Sequence, residues 1–368
     1  MSLWKFADAL PELVHVLPEH RIQLGEGDTP LVRSIKVGPD AGLSALYFKL
    51  ESCNPTGSYK DRFAAAAVSD MVACQKRRCL ATSSGNTGSA LAAYCAAAGI
   101  ECSIAIIDGA PQGKIRQMQA YGARLFSVHN FGHDHQINEN VMKTLHQLSE
   151  EADSAMQVSA FKFSPLGMSG VQSVSYELVD QLPDRLDHVF CQAGGGGMTW
   201  AVARGFSLLE KQERLHKSPA VHCVQPEGNN TIAGPLREGK DQGQNVQGTS
   251  TISGLQVSNV LDGNHVIADC RKSGGNGFLV SDEEIYAVQA RLAREEGLFC
   301  EPAAAVSVAG ALQAHQQGEI QSDDVTVCLI TGTGFKDERS IIKMTQTAAF
   351  PTLDMWQDIP AYLATNTE

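Results

Sequence analysis

The chain has little positive charge, with 29 Lys and Arg against 41 Asp and Glu and a formal net charge of −12 over 368 residues. Phosphate backbones are held by clustered Lys and Arg, so nucleic acid is not an expected partner. Long apolar runs are missing too: none approaches the ~20 residues of a membrane span, and no membrane partner is expected. The opening residues Met1-Ser2-Leu3-Trp4-Lys5-Phe6-Ala7-Asp8 lack a secretory signal pattern, and their early acid argues against a transit peptide. Ten cysteines are present, yet none forms a Cys-x-x-Cys pair, which argues against a zinc ribbon or a dithiol redox motif. Several lie inside apolar segments, such as Cys328 within Val325–Ile330. Reduced, buried thiols in a cytoplasmic protein are the expectation. Internal repeats and low-complexity segments are also absent. His129, His133 and His135 share a Gly/Asp-containing stretch. No Cys or carboxylate framework converges on it, so it reads as a solvated loop and no metal is expected.

What is present describes a soluble globular protein with a sizeable core: 43% apolar and 19% charged residues. The length suggests two domains. Strand and helix signals alternate. Strands are expected at Leu46–Leu50, Cys79–Thr82, Glu101–Ile107, Ala123–His129, Asp187–Ala193, Ala220–Gln225 and Val325–Ile330. Helices are expected from Phe63, at Ser89–Ala98, Gly113–Tyr121, Asn138–Leu148 and Thr199–Lys211, and from the capping box at Ser281 to the Gly297 stop. Such alternation builds parallel α/β layers. Residues 79–165 are expected to form a smaller, mobile domain closed by the Ser164–Gly167 turn. Residues 1–78 and 166–368 then make the larger one. The Gly-, Asn- and Gln-rich stretch 227–264 reads as long loops with short helices.

The chemistry gathers at a few places. Asn54-Pro55-Thr56-Gly57 are turn residues, Ser58 is a candidate cap, and Phe63-Ala64-Ala65-Ala66-Ala67 is a strong helix former. Lys60 therefore stands at a turn-to-helix junction beside an apolar wall. Desolvation there lowers the amine's pKa and frees it as a nucleophile, as a Schiff-base lysine requires. By itself the segment also fits a solvated helix start. Ser83-Ser84-Gly85-Asn86-Thr87-Gly88 passes from a strand into an Ala-rich helix and offers hydroxyls, an amide and free N–H groups as an anion nest, or else simply a cap. Gly194-Gly195-Gly196-Gly197 stands between a strand and a helix, where backbone and helix dipole suit a phosphate dianion. Thr331-Gly332-Thr333-Gly334-Phe335-Lys336-Asp337 closes a buried strand.

Taken together these segments resemble threonine synthase and its relatives among the pyridoxal-phosphate (PLP) enzymes of the tryptophan-synthase-β type. The lysine motif differs from the family's Asn-Pro-Thr-Gly-Ser-Phe-Lys-Asp-Arg only in Tyr59. Leu24–Leu31 and Glu301-Pro302-Ala303-Ala304-Ala305 also match, so the likeness runs from about residue 24 to residue 337 in one order. The resemblance implies the PLP type II fold, an α/β fold of two domains, each with a mostly parallel twisted sheet flanked by helices. It implies PLP as cofactor, with Lys60 as its Schiff-base lysine and catalytic base. It places Asn86 against the ring hydroxyl, Gly194, Gly195, Gly196 and Gly197 around the phosphate, and Thr331 at the pyridine nitrogen. Ser83, Ser84 and Thr87 would hold the α-carboxylate of an amino-acid substrate. A homodimer is a further expectation.

Three departures bear on the substrate. Gly195 and Met198 replace parts of the family's Gly-Asn-Ala-Gly-Asn, and Thr333 stands where a His is usual. The family's Asn-Pro-Tyr-Arg run corresponds to Ser164-Pro165-Leu166-Gly167, so an Arg suited to a second phosphate is missing. Lys114 and Arg116 are candidates to replace it. The expected activity is a threonine-synthase-like lyase that converts O-phosphohomoserine and water to threonine and phosphate. A serine/threonine deaminase, a diaminopropionate ammonia-lyase or a cysteate-synthase-like β-replacement enzyme is the alternative with the same cofactor. A nucleotide-binding or regulatory α/β protein is the alternative of another class.

Overall fold

The computed structural model describes residues 2–107, 110, 112–348 and 350–365. Among the described residues ten strands are formed: β1 (Leu31–Arg33), β2 (Leu46–Lys49), β3 (Arg78–Thr82), β4 (Glu101–Ile106), β5 (Arg124–Ser127), β6 (Ser154–Gln157), β7 (His188–Gln192), β8 (Ala220–Pro226), β9 (Gly277–Val280) and β10 (Thr326–Leu329). They make two sheets. The six-stranded sheet has the order β1-β2-β10-β7-β8-β9, and the four-stranded sheet β5-β4-β3-β6. Every pairing is parallel except β1 with β2. This is the α/β architecture expected from the alternating signals.

The central strands of the larger sheet are buried on both faces: β10 is buried throughout, and β7 in four of its five residues. Continuous apolar runs such as Val189-Phe190-Cys191 suit that position, with helices covering each side. The Ala-rich helix Pro302–Gln316 fills the space beside β7, β8, β9 and β10 because its small side chains permit close approach. The helix Asp282–Glu296 opens on the expected capping box, Ser281 with Glu284, and ends on Gly297 in the left-handed region.

Two local expectations are corrected. Ser164–Gly167 is not a turn: Pro165 sits in the first turn of a helix, Pro165–Val171, where a missing N–H costs nothing. Ser58 does not cap the helix Lys60–Ala73. Its backbone is drawn into an antiparallel bridge with Gly332, and its buried hydroxyl has no hydrogen-bond partner among the described residues.

Candidate active site

The carboxyl ends of β3, β6, β7 and β10 open onto one cleft of about 870 Å³. Ligands of open α/β sheets bind at such strand ends. Lys60, Ser83, Ser84, Asn86, Thr87, Gly194, Gly195, Gly196, Gly197 and Thr331 all line it. The structure thus brings together the side chains and glycines expected to hold the cofactor and the substrate carboxylate.

Lys60 is held there by its own motif. Asn54 donates to the Glu51 main-chain carbonyl and carboxylate at 2.8 and 2.9 Å and accepts from the Gly27 N–H at 2.9 Å. The Thr56 N–H and hydroxyl donate to Asp61 at 2.9 and 2.8 Å, fixing the turn before the helix. Gly57 has φ +88°, and a Cβ on it would fall 2.7 Å from Thr333 Cγ2. The next residues are stitched to the end of β10, Tyr59 N–H to Thr331 O at 3.0 Å and Thr333 N–H to Gly57 O at 3.0 Å. Arg62 anchors the far side. It is fully buried and reaches Glu51 at 2.7 Å and Glu177 at 2.6 Å, while Lys49 reaches Glu177 at 2.7 Å. Two cations and two carboxylates balance in this cluster. Thr29, from the Gly-Glu-Gly loop, donates to Glu51 at 2.7 Å. That loop, given no role from sequence, is part of the platform behind the lysine.

The Lys60 amine donates to Ser159 Oγ at 2.7 Å, and Ser159 shares a second 2.7 Å hydrogen bond with Thr87. Burial lowers Lys60 from the usual lysine value to about 7, against smaller opposing attractions from Glu301 and Asp262. A substantial fraction is therefore free amine at neutral pH. Burial likewise brings Lys336, on the same cleft, down to about 8.

The serine-rich loop is self-organised. Ser83 Oγ accepts from the N–H groups of Gly85 and Gly88 at 3.2 and 2.9 Å, and Ser84 Oγ accepts from Ile107 N–H at 2.9 Å. As acceptors, both oxygens keep their O–H hydrogens for an anion. Asn86 donates to Glu301 at 2.7 Å, but its Oδ1 is buried without a partner among the described residues. Glu301 Oε2 accepts no hydrogen bond among the described residues but forms an ion pair with the buried Lys114 amine at 3.5 Å. Gln192 donates to Thr331 Oγ1 at 2.5 Å, which leaves the threonine hydroxyl to act as donor.

At the tetraglycine turn, Gly196 has φ +96° and precedes the helix Gly197–Lys211. The N–H groups of Gly194, Gly195 and Gly196 donate to no acceptor among the described residues. Orphan donors at a helix start suit a phosphate dianion, and the unpartnered Asn86 oxygen suits a ring hydroxyl. The residues present therefore fit PLP.

The family of pyridoxal-phosphate dependent enzymes matches residues 22–332. The chain belongs to this family. It is 30% identical to threonine synthase of Methanocaldococcus jannaschii, over 94% of this chain and 83% of that one. It is also 30% identical to threonine synthase of Bacillus sp. strain ULM1, over 88% of each chain. Among solved structures, threonine deaminase isoform 2 of Solanum lycopersicum superposes with a TM-score of 0.73 at 21% identity, covering 93% of this chain and 94% of that one. An O-ureido-L-serine synthase gives 0.70 at 23% identity, covering 92% and 95%. At those identities the structures support the type II fold alone. The chain is thus a PLP-dependent, threonine-synthase-like lyase by family, with PLP as its cofactor.

Ser159 and Gln192 were missed by sequence reasoning. Ser159 follows β6, whose Ser-Ala-Met-Gln sequence carries no β-branched or aromatic strand signal. Gln192 could have been found: it is a polar residue at the end of an apolar strand, two residues before the glycines. Lys114 lines the cleft, whereas Arg116 is exposed and outside its lining. Gly167 is buried against the lysine helix, where a Cβ would meet Phe63 at 2.7 Å and Ala67 at 2.9 Å, so no side chain fits. His129, His133 and His135 are all exposed.

Proposed function

We propose that the chain converts O-phosphohomoserine and water to threonine and phosphate. The observation that carries this reading is the cleft itself. One free lysine amine is flanked by two helix starts suited to a carboxylate and a phosphate, with Lys114, Lys336 and Arg339 on the same lining for a second anion. Relatives called threonine synthase over most of their length support it.

PLP, when bound, supplies an electron sink for charge developing at the substrate Cα. The chain's residues do the rest. The N–H groups of Gly194, Gly195 and Gly196 would hold the cofactor phosphate, Asn86 its ring hydroxyl and Thr331 its ring nitrogen. A neutral hydroxyl at that nitrogen leaves it less firmly protonated than a carboxylate would. Ser83, Ser84 and Thr87 orient the substrate carboxylate over the start of helix Asn86–Ala98. The Lys60 amine takes the Cα proton and returns it later, with Ser159 aiming it; a base near the working pH is the efficient choice.

A second reading rests on Gly167. With no room for the family's arginine there, a substrate without a phosphate, as in a deaminase or a β-replacement enzyme, also fits. The test follows phosphate, ammonia and 2-oxo acid together after adding O-phosphohomoserine, serine or threonine to the holoenzyme. Phosphate and threonine from O-phosphohomoserine are expected. Ammonia and 2-oxo acid from another amino acid, with no phosphate released, would overturn the first reading and leave the second.

A further inference from the structure

Gln192 ends β7 and is buried, its main-chain carbonyl accepting from the Thr199 hydroxyl at 3.2 Å. Its amide nitrogen has two hydrogens and finds two acceptors. One is the Leu329 main-chain carbonyl at 3.3 Å, the other Thr331 Oγ1 at 2.5 Å. Oε1 meets no donor among the described residues. The Leu329 carbonyl settles which way the amide faces, because a carbonyl oxygen only accepts. Turning the amide over would set its oxygen against that carbonyl, oxygen to oxygen.

This orientation dictates the next bond. One lone pair of Thr331 Oγ1 is taken by an N–H, so the threonine's own proton points away from Gln192. No acceptor for it stands among the described residues, and Thr331 lines the cleft. A ring nitrogen that carries a proton has no lone pair to offer and would leave the Thr331 O–H without an acceptor, which is costly in a buried site. A ring nitrogen without a proton accepts it. A carboxamide does not ionise, so this direction holds across pH, unlike that set by a carboxyl or an imidazole.

We propose that Gln192 is a positioning residue that acts through Thr331 to keep the cofactor's ring nitrogen unprotonated. This role rests on the proposed placement of Thr331 at that nitrogen, whichever substrate is used. A hydroxyl alone can either donate or accept; Gln192 removes the second option. An unprotonated ring is the weaker electron sink, which favours reactions in which a leaving group carries the charge away.

The test reads the nitrogen itself. The full chain is loaded with PLP carrying nitrogen-15 in its ring, and the chemical shift is measured by solid-state NMR. The wild type is expected at the free-pyridine position, unmoved between mildly acidic and mildly alkaline pH. In Gln192→Glu a carboxylate accepts from Thr331 and reverses the bond, so the signal should shift to the pyridinium position. Gln192→Met, close in volume and without a donor, carries the test if the buried carboxylate prevents folding; its signal should move toward pyridinium as pH falls. Thr331→Val removes the hydroxyl and should also displace the signal. A pyridinium signal in the wild type, or a wild-type signal in either Gln192 variant while Thr331→Val is displaced, would overturn the role of Gln192. A wild-type signal in Thr331→Val would instead overturn the placement of Thr331, and the proposal with it.

Discussion

Lys60 illustrates how a single residue's environment fixes its chemistry. Its folded value of about 7 lies below the ~10.4 of an unfolded lysine. Below about pH 7 both states bind the proton, and the cofactor-free protein carries the full burial penalty. Between about 7 and 10.4 only the unfolded chain binds it, so Lys60 makes stability rise with pH across that window. Denaturant unfolding of the cofactor-free protein at pH 7 and pH 9 should show a steeper rise for the wild type than for Lys60→Met; equal slopes would refute the shift. Gly196 is the other decisive residue. At φ +96°, with a Cβ 2.9 Å from Val266 Cγ2, an alanine is strained by about 1–3 kcal/mol. Gly196→Ala is expected to weaken PLP affinity roughly 10- to 100-fold, read by fluorescence titration. The lysine motif made Lys60 legible in advance. The Lys60–Ser159–Thr87 hydrogen-bond chain was not, because it joins residues from three segments that no local pattern links.

At the scale of elements, helices declared themselves where caps were strong. Ser281 and Glu284 form the reciprocal box read from sequence, at 3.2 Å for Glu284 N–H to Ser281 Oγ and 2.8 Å for Ser281 N–H to Glu284. Ser281→Ala should cost about 0.5–2 kcal/mol, visible as a lowered Tm, with kcat untouched. The apolar strands β2, β4, β7, β8 and β10 were legible from their β-branched and aromatic content. β6 was not, being small and polar. The Ser164–Gly167 segment was misread as a turn because Pro and Gly punctuate loops and helix starts alike. Ser58 looked like a cap, yet a tertiary bridge to Gly332 overrode that local preference.

Across the whole molecule, the two-sheet plan was legible as two alternating strand–helix series, but the tie between distant segments was not. Glu177 gathers Lys49, Arg62 and the N–H groups of Asp28 and Thr29 into one buried knot. No spacing rule connects residues so far apart in the chain. Burial alone would raise the Glu177 carboxyl; Arg62 and Lys49 outweigh it and hold the group down at about 2. Its contribution is therefore present above the unfolded value of ~4.3 and is lost as pH falls through about 2. Glu177→Gln leaves two buried cations short of a partner and should cost about 3–5 kcal/mol in chemical denaturation at pH 7. A loss under 1 kcal/mol would contradict the platform role.

Everything catalytic in this account depends on which amine carries the cofactor. Among the lysines, Lys60, Lys114 and Lys336 share the cleft lining. Borohydride reduction of the PLP-loaded enzyme, followed by peptide mass spectrometry, distinguishes them directly. One pyridoxyl adduct per chain is expected, on the peptide containing Lys60 and absent from Lys60→Ala. An adduct on Lys114 or Lys336, or none at all, would contradict it.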